Sequence, residues 1–263
     1  MDDVQIKEMV RVRYGGIAAK ASEASCCAPT SSSCCGPEAT SRDKARRMGY
    51  SEAELAAVPE GANLGLGCGN PQAIAAMRPG EIVVDLGSGA GFDCFLAARQ
   101  VGNAGQVIGV DMTHEMLKKA RDNAARIGAC NVEFRLGELE HLPIADNTAD
   151  VVIANCVINL VPDKEQVFRE AFRVLKPGGR LAVSDVINIA SLPPELRSDP
   201  ALLCGCVAGA APAERIEAWL SEAGFVDVRV TPNVESREMV ESWASGRGIE
   251  NYIAPAMVEA RKP

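Results

Sequence analysis

The chain has 263 residues, of which 47% are hydrophobic and 24% charged, and this composition is typical of a globular protein with a full core. Its 27 Lys and Arg against 35 Asp and Glu give a net charge of -8. That sign disfavours a surface that binds nucleic-acid phosphates. No basic segment leads into an apolar stretch at the N-terminus, and no run of about 18 apolar residues occurs. We therefore expect a cytoplasmic protein without nucleic-acid or membrane partners.

Ten cysteines are the unusual feature of the composition. In a small secreted chain they would indicate a disulfide framework, but this chain is long and carries no recognisable export signal. Reduced thiols with a metal, metalloid or redox role are the better interpretation.

The first 60 residues predict a helical arm that contains a flexible, cysteine-rich segment over 22–40. VQIKEMVRVRY predicts a first short helix, and a capping box from Ser51 to Glu54 opens a later one. Asn70 is expected to cap a further helix over 71–77.

From Glu81 onward, short β-branched segments alternate with amphipathic ones. The strands are expected at EIVVDLG, QVIGVD, VEFRLG, ADVVIAN and RLAVSDV, the last over 180–186 after a helix over 164–176. Such alternation predicts an α/β fold with a doubly wound, mainly parallel sheet. A Pro-rich insertion follows, and then two further helices and two closing strands complete the chain.

A glycine loop, VVDLGSGAGFD, connects the first expected strand to its helix. Gly87 and Gly89 allow a ligand to approach the backbone without meeting a Cβ atom. Asp111 ends the second strand, 22 residues after Gly89, which is the spacing at which an acid binds ribose hydroxyls. A tight turn without a ligand is the alternative, but the agreement of loop and acid favours a nucleoside ligand.

Two residues near this loop argue against a dinucleotide. Phe92 replaces the third glycine of GxGxxG, and Asp85 would repel a diphosphate. A carboxylate at that place suits the ammonium and sulfonium of S-adenosylmethionine.

The segments from the glycine loop through GELEHLPIADNTADVVIAN to VLKPGGRLAVSD resemble class I S-adenosylmethionine-dependent methyltransferases. The resemblance implies a Rossmann-like domain over 61–190, followed by a lid and closing strands over 191–263. It assigns the ribose to Asp111 with Met112 and the adenine to Glu138 with Leu139, although Glu138 could equally be an exposed loop carboxylate. Asn155 would face the methyl donor. The full expected cofactor set is Asp85, Gly87, Ser88, Gly89, Asp111, Met112, Glu138, Leu139 and Asn155.

Three cysteines lie where an acceptor could bind. Cys156 directly follows the strand ADVVIAN, at the carboxyl edge of the sheet, where open α/β sheets bind ligands. Cys68 lies in a glycine-flanked turn, and Cys206 lies in the insertion. Their separations of 88 and 50 residues match no compact zinc pattern. Taken singly, each is more simply a buried small hydrophobe.

NLGLGCGNP, NCVINLVPDK and CGCVAGA together resemble the arsenite methyltransferases, from about Ser41 to the C-terminus. The resemblance implies that Cys68, Cys156 and Cys206 bind trivalent arsenic, delivered as a thiol adduct. It also implies an upstream cysteine, for which the pairs Cys26 with Cys27 and Cys34 with Cys35 are candidates, and Cys34 and Cys35 are favoured. An external thiol such as thioredoxin or glutathione would be the reductant. No metal cofactor is expected.

Trivalent arsenic held by three sulfurs keeps a lone pair, so it can attack a sulfonium methyl without first losing a proton. No general base is needed, and alignment of the reactants provides the catalysis. We accordingly interpret His114 and His141 as surface or cofactor-rim residues. Two alternatives stay open: a methyltransferase for a small organic acceptor, in which the cysteines only pack, and a non-catalytic, thiol-rich metalloid-binding protein.

Overall fold

The structure is a computed structural model that describes residues 2–23 and 40–263. The predictions made for Cys26, Cys27, Cys34 and Cys35 therefore lie outside the described residues.

Eight strands form one sheet. Their bounds are β1 Ile82–Leu86, β2 Gln106–Asp111, β3 Val132–Leu136, β4 Ala149–Asn155, β5 Leu175–Asn188, β6 Ala211–Pro212, β7 Val226–Pro232 and β8 Ile253–Arg261.

Eleven α-helices accompany the sheet within the described part of the chain. They are α1 Asp3–Glu23, α2 Ser41–Arg47, α3 Glu52–Ala57, α4 Gln72–Ala75, α5 Phe92–Val101, α6 His114–Ile127, α7 Lys164–Val174, α8 Pro194–Arg197, α9 Pro200–Leu203, α10 Ala213–Ala223 and α11 Arg237–Trp243. None of these helices has both the length and the apolar character needed to cross a membrane.

The strand order is β3-β2-β1-β4-β5-β8-β7, and β6 pairs with β5. Strands β1 to β5 run parallel, whereas β8 lies antiparallel between β5 and β7. The expected α/β class with a mainly parallel sheet is confirmed. The order reverses between β1 and β4, and in such sheets the crevice at this switch point binds the ligand.

Helices cover both faces of the sheet because alternate strand residues point to opposite sides. In β1, Val84 joins the apolar cluster under α7 and α10, whereas Val83 joins the one under α5 and α6. A third buried cluster lies at the carboxyl edge of the sheet and contains Cys68, Cys156 and Cys206 together with Val10 of α1.

Several expected bounds differ from the structure, and the helix expected over 71–77 is the shorter α4 Gln72–Ala75. Helix α7 ends at Val174, and β5 begins at Leu175, five residues before the expected strand. Pro177 explains this difference because proline cannot extend a helix and forces the residue before it into an extended conformation. Helix α1 extends to Glu23, beyond the predicted VQIKEMVRVRY.

Candidate active site

The glycine loop joins β1 to α5 at the switch point and lines one side of a cavity, which we call the glycine-loop cavity. The Gly89 N–H donates to Asp111 Oδ2 at 2.9 Å, so the loop and the end of β2 are bonded to each other. Asp111 Oδ1 accepts from the Thr113 N–H at 2.8 Å. Burial raises the pKa of Asp111 above its ordinary value. Both oxygens of this carboxylate keep lone pairs for further donors.

Glycine is required at the entrance to the loop. Gly87 has a φ of +68°, and a Cβ atom there would lie 2.4 Å from Cγ2 of Val157. Beside it, the buried Ser88 Oγ has no hydrogen-bond partner among the described residues. An unpaired hydroxyl in a cavity wall fits a polar ligand group.

The floor of the glycine-loop cavity holds two buried acids. Asp93 accepts from the Tyr50 hydroxyl at 2.6 Å and from Asn155 Nδ2 at 3.1 Å, and the Cys94 thiol donates to Asp85 at 3.1 Å. Burial, followed by the charge of Asp93, raises the pKa of Asp85 well above its ordinary value. No Lys or Arg of residues 2–23 and 40–263 forms an ion pair with either acid. The cavity therefore suits a cationic ligand, because a cation would compensate these acids.

The turn that carries Cys68 is fixed against the ends of β4 and β5. Asn155 Oδ1 accepts from the Cys68 N–H at 3.1 Å, and Asn155 Nδ2 donates to the Gly69 carbonyl at 2.9 Å. A Cβ atom on Gly67 would lie 2.7 Å from Asn155, and one on Gly69 would lie 2.2 Å from Ser184 Oγ. The flanking glycines thus let the turn pack closely enough to bury Cys68.

Three cysteine thiols meet at the carboxyl edge of the sheet. The thiols of Cys206 and Cys68 are neighbours of the Cys156 thiol. These two contacts, and then burial, raise the pKa of Cys156 well above its ordinary value. The sulfurs of Cys68 and Cys156 and a carboxylate oxygen of Asp185 all lie within 4.8 Å of one another. Among the described residues, Cys206 is not part of this group, so the structure brings Cys68 and Cys156 together beside Asp185 and places Cys206 next to Cys156.

Two of these cysteines have a strained backbone. Cys156 has a φ of +56° and Cys206 a φ of +62°, and both residues are buried. The left-handed region costs a residue with a Cβ atom on the order of 1 kcal/mol. The Cys206 thiol donates to the Cys156 carbonyl at 2.9 Å. The fold thus holds Cys206 against the backbone of Cys156.

Asp185 lies beside the thiols and is itself well hydrogen-bonded. Its carboxylate accepts from the backbone N–H groups of Ile158 and Val186 at 2.8 Å and 2.7 Å, and from Asn159 Nδ2 at 2.9 Å. Burial raises the pKa of Asp185 to about 6, although the backbone donors oppose this shift.

Eight of the nine expected cofactor residues line the glycine-loop cavity, and Glu138 does not. Met112 and Leu139 line the glycine-loop cavity, as do Asp85, Gly87, Ser88, Gly89, Asp111 and Asn155. Glu138 is not in this lining; it forms an ion pair with Lys7 at 2.7 Å and lines a neighbouring pocket. Glu140 lines the cavity instead.

Helix α1 closes the glycine-loop cavity, a role that the sequence did not suggest. Lys7, Val10 and Tyr14 lie on one face of α1 and line the cavity. Lys7 also bonds Glu140 at 3.0 Å, and the Tyr14 hydroxyl donates to the Cys204 carbonyl at 3.2 Å. The spacing of these three α1 residues, i, i+3 and i+7, is the sequence signal that could have revealed a contact face.

The other cysteines and the histidines have simpler settings. Cys94 is fully buried, and Cys130 is exposed. Cys204 is buried near α1. His114 and His141 are both exposed, in agreement with their interpretation as surface residues.

Comparisons with known proteins agree with this geometry. The family described as "Methyltransferase domain" matches residues 77–224. An arsenic(III) S-adenosylmethionine methyltransferase from Chlamydomonas reinhardtii has a similar crystal structure, with a TM-score of 0.62 and 32% identity. The similarity covers 87% of this chain and 75% of the algal one. The Rossmann-like methyltransferase fold is thereby confirmed.

The chain is also similar in sequence to arsenite methyltransferases. It is 52% identical to that of Halobacterium salinarum over its whole length, which covers 68% of the relative. It is 46% identical to the enzyme of Aquipseudomonas alcaligenes over 62% of this chain, and 42% identical to the human enzyme over 58%. These matches cover 49% and 43% of those two relatives, so the chain spans less than half of their length. With the whole chain matched at this identity, it belongs to the arsenite methyltransferase family.

Proposed function

We propose that this chain transfers a methyl group from S-adenosylmethionine to trivalent arsenic bound by Cys68, Cys156 and Cys206. The observation that carries the proposal is the position of Cys156. Its thiol has those of Cys68 and Cys206 as neighbours, and the residue also lines the glycine-loop cavity. An arsenic atom on the thiols would therefore be next to a ligand bound in that cavity.

The residues of the glycine-loop cavity fit S-adenosylmethionine. Asp111 would accept from the ribose hydroxyls, and Ser88 Oγ would gain the partner that it lacks. The acids Asp85 and Asp93 favour the positively charged methionine end. When bound, this donor supplies a methyl group made electrophilic by its sulfonium. The task left to the chain is to orient the donor and to exclude water.

The three thiols would bind arsenic by ligand exchange. Soft sulfur ligands suit a soft metalloid, and each thiol would displace one ligand of the incoming arsenic and pass its proton to the group that leaves. The fold holds Cys156 and Cys206 next to each other before arsenic arrives. Alignment of two reactants can supply a large part of a catalytic rate enhancement. No general base is assigned, because the arsenic lone pair needs no deprotonation.

Methyl transfer raises arsenic formally to the pentavalent state. Its return to the trivalent state takes two electrons, and two thiols supply them when they form a disulfide. We assign this reduction to an external thiol such as glutathione or thioredoxin, with Cys34 and Cys35 as the internal candidates. The six cysteines of the described residues are free thiols, which agrees with work in the reducing cytoplasm.

Two other functions predict different outcomes for one experiment. The chain is incubated with arsenite, a thiol and S-adenosylmethionine, and the arsenic products are separated by chromatography with elemental detection. Methylated arsenic in stoichiometric amounts supports the proposal. A methyltransferase for an organic acceptor would leave the arsenic unchanged. A metalloid-binding protein without catalysis would retain arsenic and consume no donor.

A further inference from the structure

We propose that the carboxyl edge of the sheet also holds a site for a thiophilic divalent cation, with Zn²⁺ as the expected ion and Cys68, Cys156 and Asp185 as its ligands. This site shares two thiols with the arsenic site, so zinc would compete with arsenic for them. Binding of zinc does not depend on the proposed function, whereas its consequence, inhibition of arsenic methylation, rests on that function.

The three ligand atoms already lie close together. The sulfurs of Cys68 and Cys156 and a carboxylate oxygen of Asp185 lie within 4.8 Å of one another, and all three residues are buried. In a tetrahedral zinc site, Zn–S bonds of about 2.3 Å and Zn–O bonds of about 2.1 Å place the ligand atoms about 3.6 to 3.8 Å apart. The group therefore encloses the ion after a contraction of at most about 1.2 Å.

Hydrogen bonds fix the carboxylate of Asp185 without neutralising it. Oδ1 accepts from the Val186 N–H at 2.7 Å and from Asn159 Nδ2 at 2.9 Å, and Oδ2 accepts from the Ile158 N–H at 2.8 Å. All three donors are uncharged. Carboxylates that bind metal ions are commonly oriented by hydrogen bonds of this kind. Asp185 is thus held in place as a ligand would be.

The charge of Asp185 has no partner in the arsenic chemistry. None of the ion pairs formed within residues 2–23 and 40–263 includes Asp185. Lys164 acts on it through its charge, but the Lys164 ammonium donates to the Val161 carbonyl at 2.9 Å. Buried charges in proteins are generally paired or bind metal ions. Arsenic on three thiolates is neutral and would leave this carboxylate uncompensated, whereas Zn²⁺ would compensate it.

Zinc and arsenic need different ligands. Trivalent arsenic keeps a lone pair and binds three sulfurs, whereas zinc takes four ligands and accepts carboxylate oxygen as well as thiolate. Cys206 is outside the group of three, and its thiol donates to the Cys156 carbonyl at 2.9 Å. We therefore assign the fourth zinc position to water. Binding of zinc releases the two thiol protons to solvent and moves no electrons.

A path from solvent to this site runs along Cys156. This residue lines the glycine-loop cavity and also a second cavity, which is bounded by residues of α1, α2 and α11. Cys68 and Asp185 line neither cavity. A hydrated ion would therefore meet Cys156 first and lose water as the other two ligands bind.

Titrations of full-length protein with zinc and with arsenite test the assignment. The parent and all variants carry Ser in place of four further cysteines that would bind the same ion, Cys26, Cys27, Cys34 and Cys35. Zinc affinity is measured by competition with a chromophoric chelator, and arsenite affinity by calorimetry, both without donor. For Asp185→Asn we expect the dissociation constant for zinc to rise at least about tenfold and that for arsenite to change less than about threefold. Cys206→Ser should show the reverse.

X-ray absorption at the zinc edge counts the ligands in the parent protein. We expect two sulfurs near about 2.3 Å and two oxygens near about 2.1 Å. Three sulfurs, or an unchanged zinc affinity in Asp185→Asn, overturns the site. Asp122→Asn alters an exposed acid that pairs with Lys118 and should change neither affinity. If Asp185→Asn binds neither ion because it does not fold, the parent spectrum and the zinc affinity of Cys206→Ser decide the question.

Inhibition distinguishes this site from the proposed function. At a free zinc concentration of about three times its dissociation constant, the KM for arsenite should rise about fourfold, because zinc occupies two of the arsenic ligands. The KM for S-adenosylmethionine should stay within about twofold. Methylation that zinc does not slow overturns the competition. Zinc binding by a wild type that produces no methylated arsenic even without zinc overturns the proposed function and leaves the zinc site intact.

Discussion

The two cavities that meet at Cys156 differ most in charge. The glycine-loop cavity contains Asp85, Asp93 and Asp111, which form no ion pair with Lys or Arg in the described part of the chain. A second cavity, lined by Arg13, Lys44, Arg47, Cys156 and Cys206, has cations and no acids among the described residues of its lining. This difference favours a cationic donor in the glycine-loop cavity and disfavours it in the second cavity.

The cavities differ also in how the sequence builds them. The glycine loop and Asp111 come from neighbouring parallel strands, β1 and β2, which are close in the chain. The thiol site instead joins three distant segments, and two of its cysteines have a strained backbone. The acceptor side therefore depends more strongly on the whole fold. The predictions below test this distinction, from the largest expected effect to the smallest.

Cys156→Ser should abolish methylation of arsenic and leave donor binding nearly unchanged. We expect methylation of arsenic to fall to background, because the variant lacks one of the three sulfur ligands of arsenic. Donor affinity, measured by titration calorimetry, should stay within about threefold, since a small polar group replaces a similar one. Cys130→Ser is the matched control, because Cys130 is exposed and distant from the thiols. Full turnover by Cys156→Ser would refute the acceptor site.

The pH dependence should differ between capture and transfer. Because the pKa of Cys156 lies well above its ordinary value, its thiol is protonated at neutral pH. The thiolate fraction then rises about tenfold per pH unit, and the rate of arsenic capture should rise about a hundredfold between pH 6 and pH 8. Methyl transfer from an enzyme already loaded with arsenic should be nearly flat over this range. Rapid mixing measures both rates, and a steep pH profile for transfer would show that a base takes part.

Asp111→Ala should weaken the donor side alone. We expect the dissociation constant for S-adenosylmethionine to rise by roughly ten to a hundredfold, as expected for loss of a buried, charged hydrogen bond. Arsenic binding by the thiols should be unchanged. Asp122→Ala removes an exposed acid that pairs with Lys118 and is the control. Unchanged donor binding in Asp111→Ala would count against the ribose role.

Glu138→Gln tests the expected contact of Glu138 with the adenine, which the structure does not favour. Glu138 forms an exposed ion pair with Lys7 outside the cavity lining, and such pairs contribute about 0 to 1 kcal/mol. Donor affinity should therefore change less than about threefold. A tenfold loss would instead restore Glu138 to the adenine site. Glu140→Gln, which alters the acid that does line the cavity, is the comparison.

The sequence predicted the features that depend on local chemistry. The glycine loop and the position of Asp111 follow from backbone rules that hold for any parallel βαβ unit. The resemblance supplied the three cysteines, and the fold places Cys68 and Cys206 beside Cys156.

Features that depend on side-chain direction escaped prediction. Glu138 and Glu140 lie two residues apart, and only the path of the loop decides which of them faces the cavity. Asp93 lies in the first turn of α5, where acids are common, so the sequence gives no sign of its burial beside Asp85. The placement of α1 over the cavity arises from contacts between segments more than 100 residues apart, such as Lys7 with Glu138. Periodicity along α1 can indicate a contact face, but it does not identify the segment that this face contacts.

The central claim is that one arsenic atom binds all three thiols. X-ray absorption at the arsenic edge on the arsenite-loaded wild type and on Cys206→Ser tests it most directly. We predict three sulfur neighbours and no oxygen in the wild type, and two sulfurs with one oxygen or external ligand in the variant. Two sulfurs in the wild type, or an environment that Cys206→Ser leaves unchanged, would contradict the account.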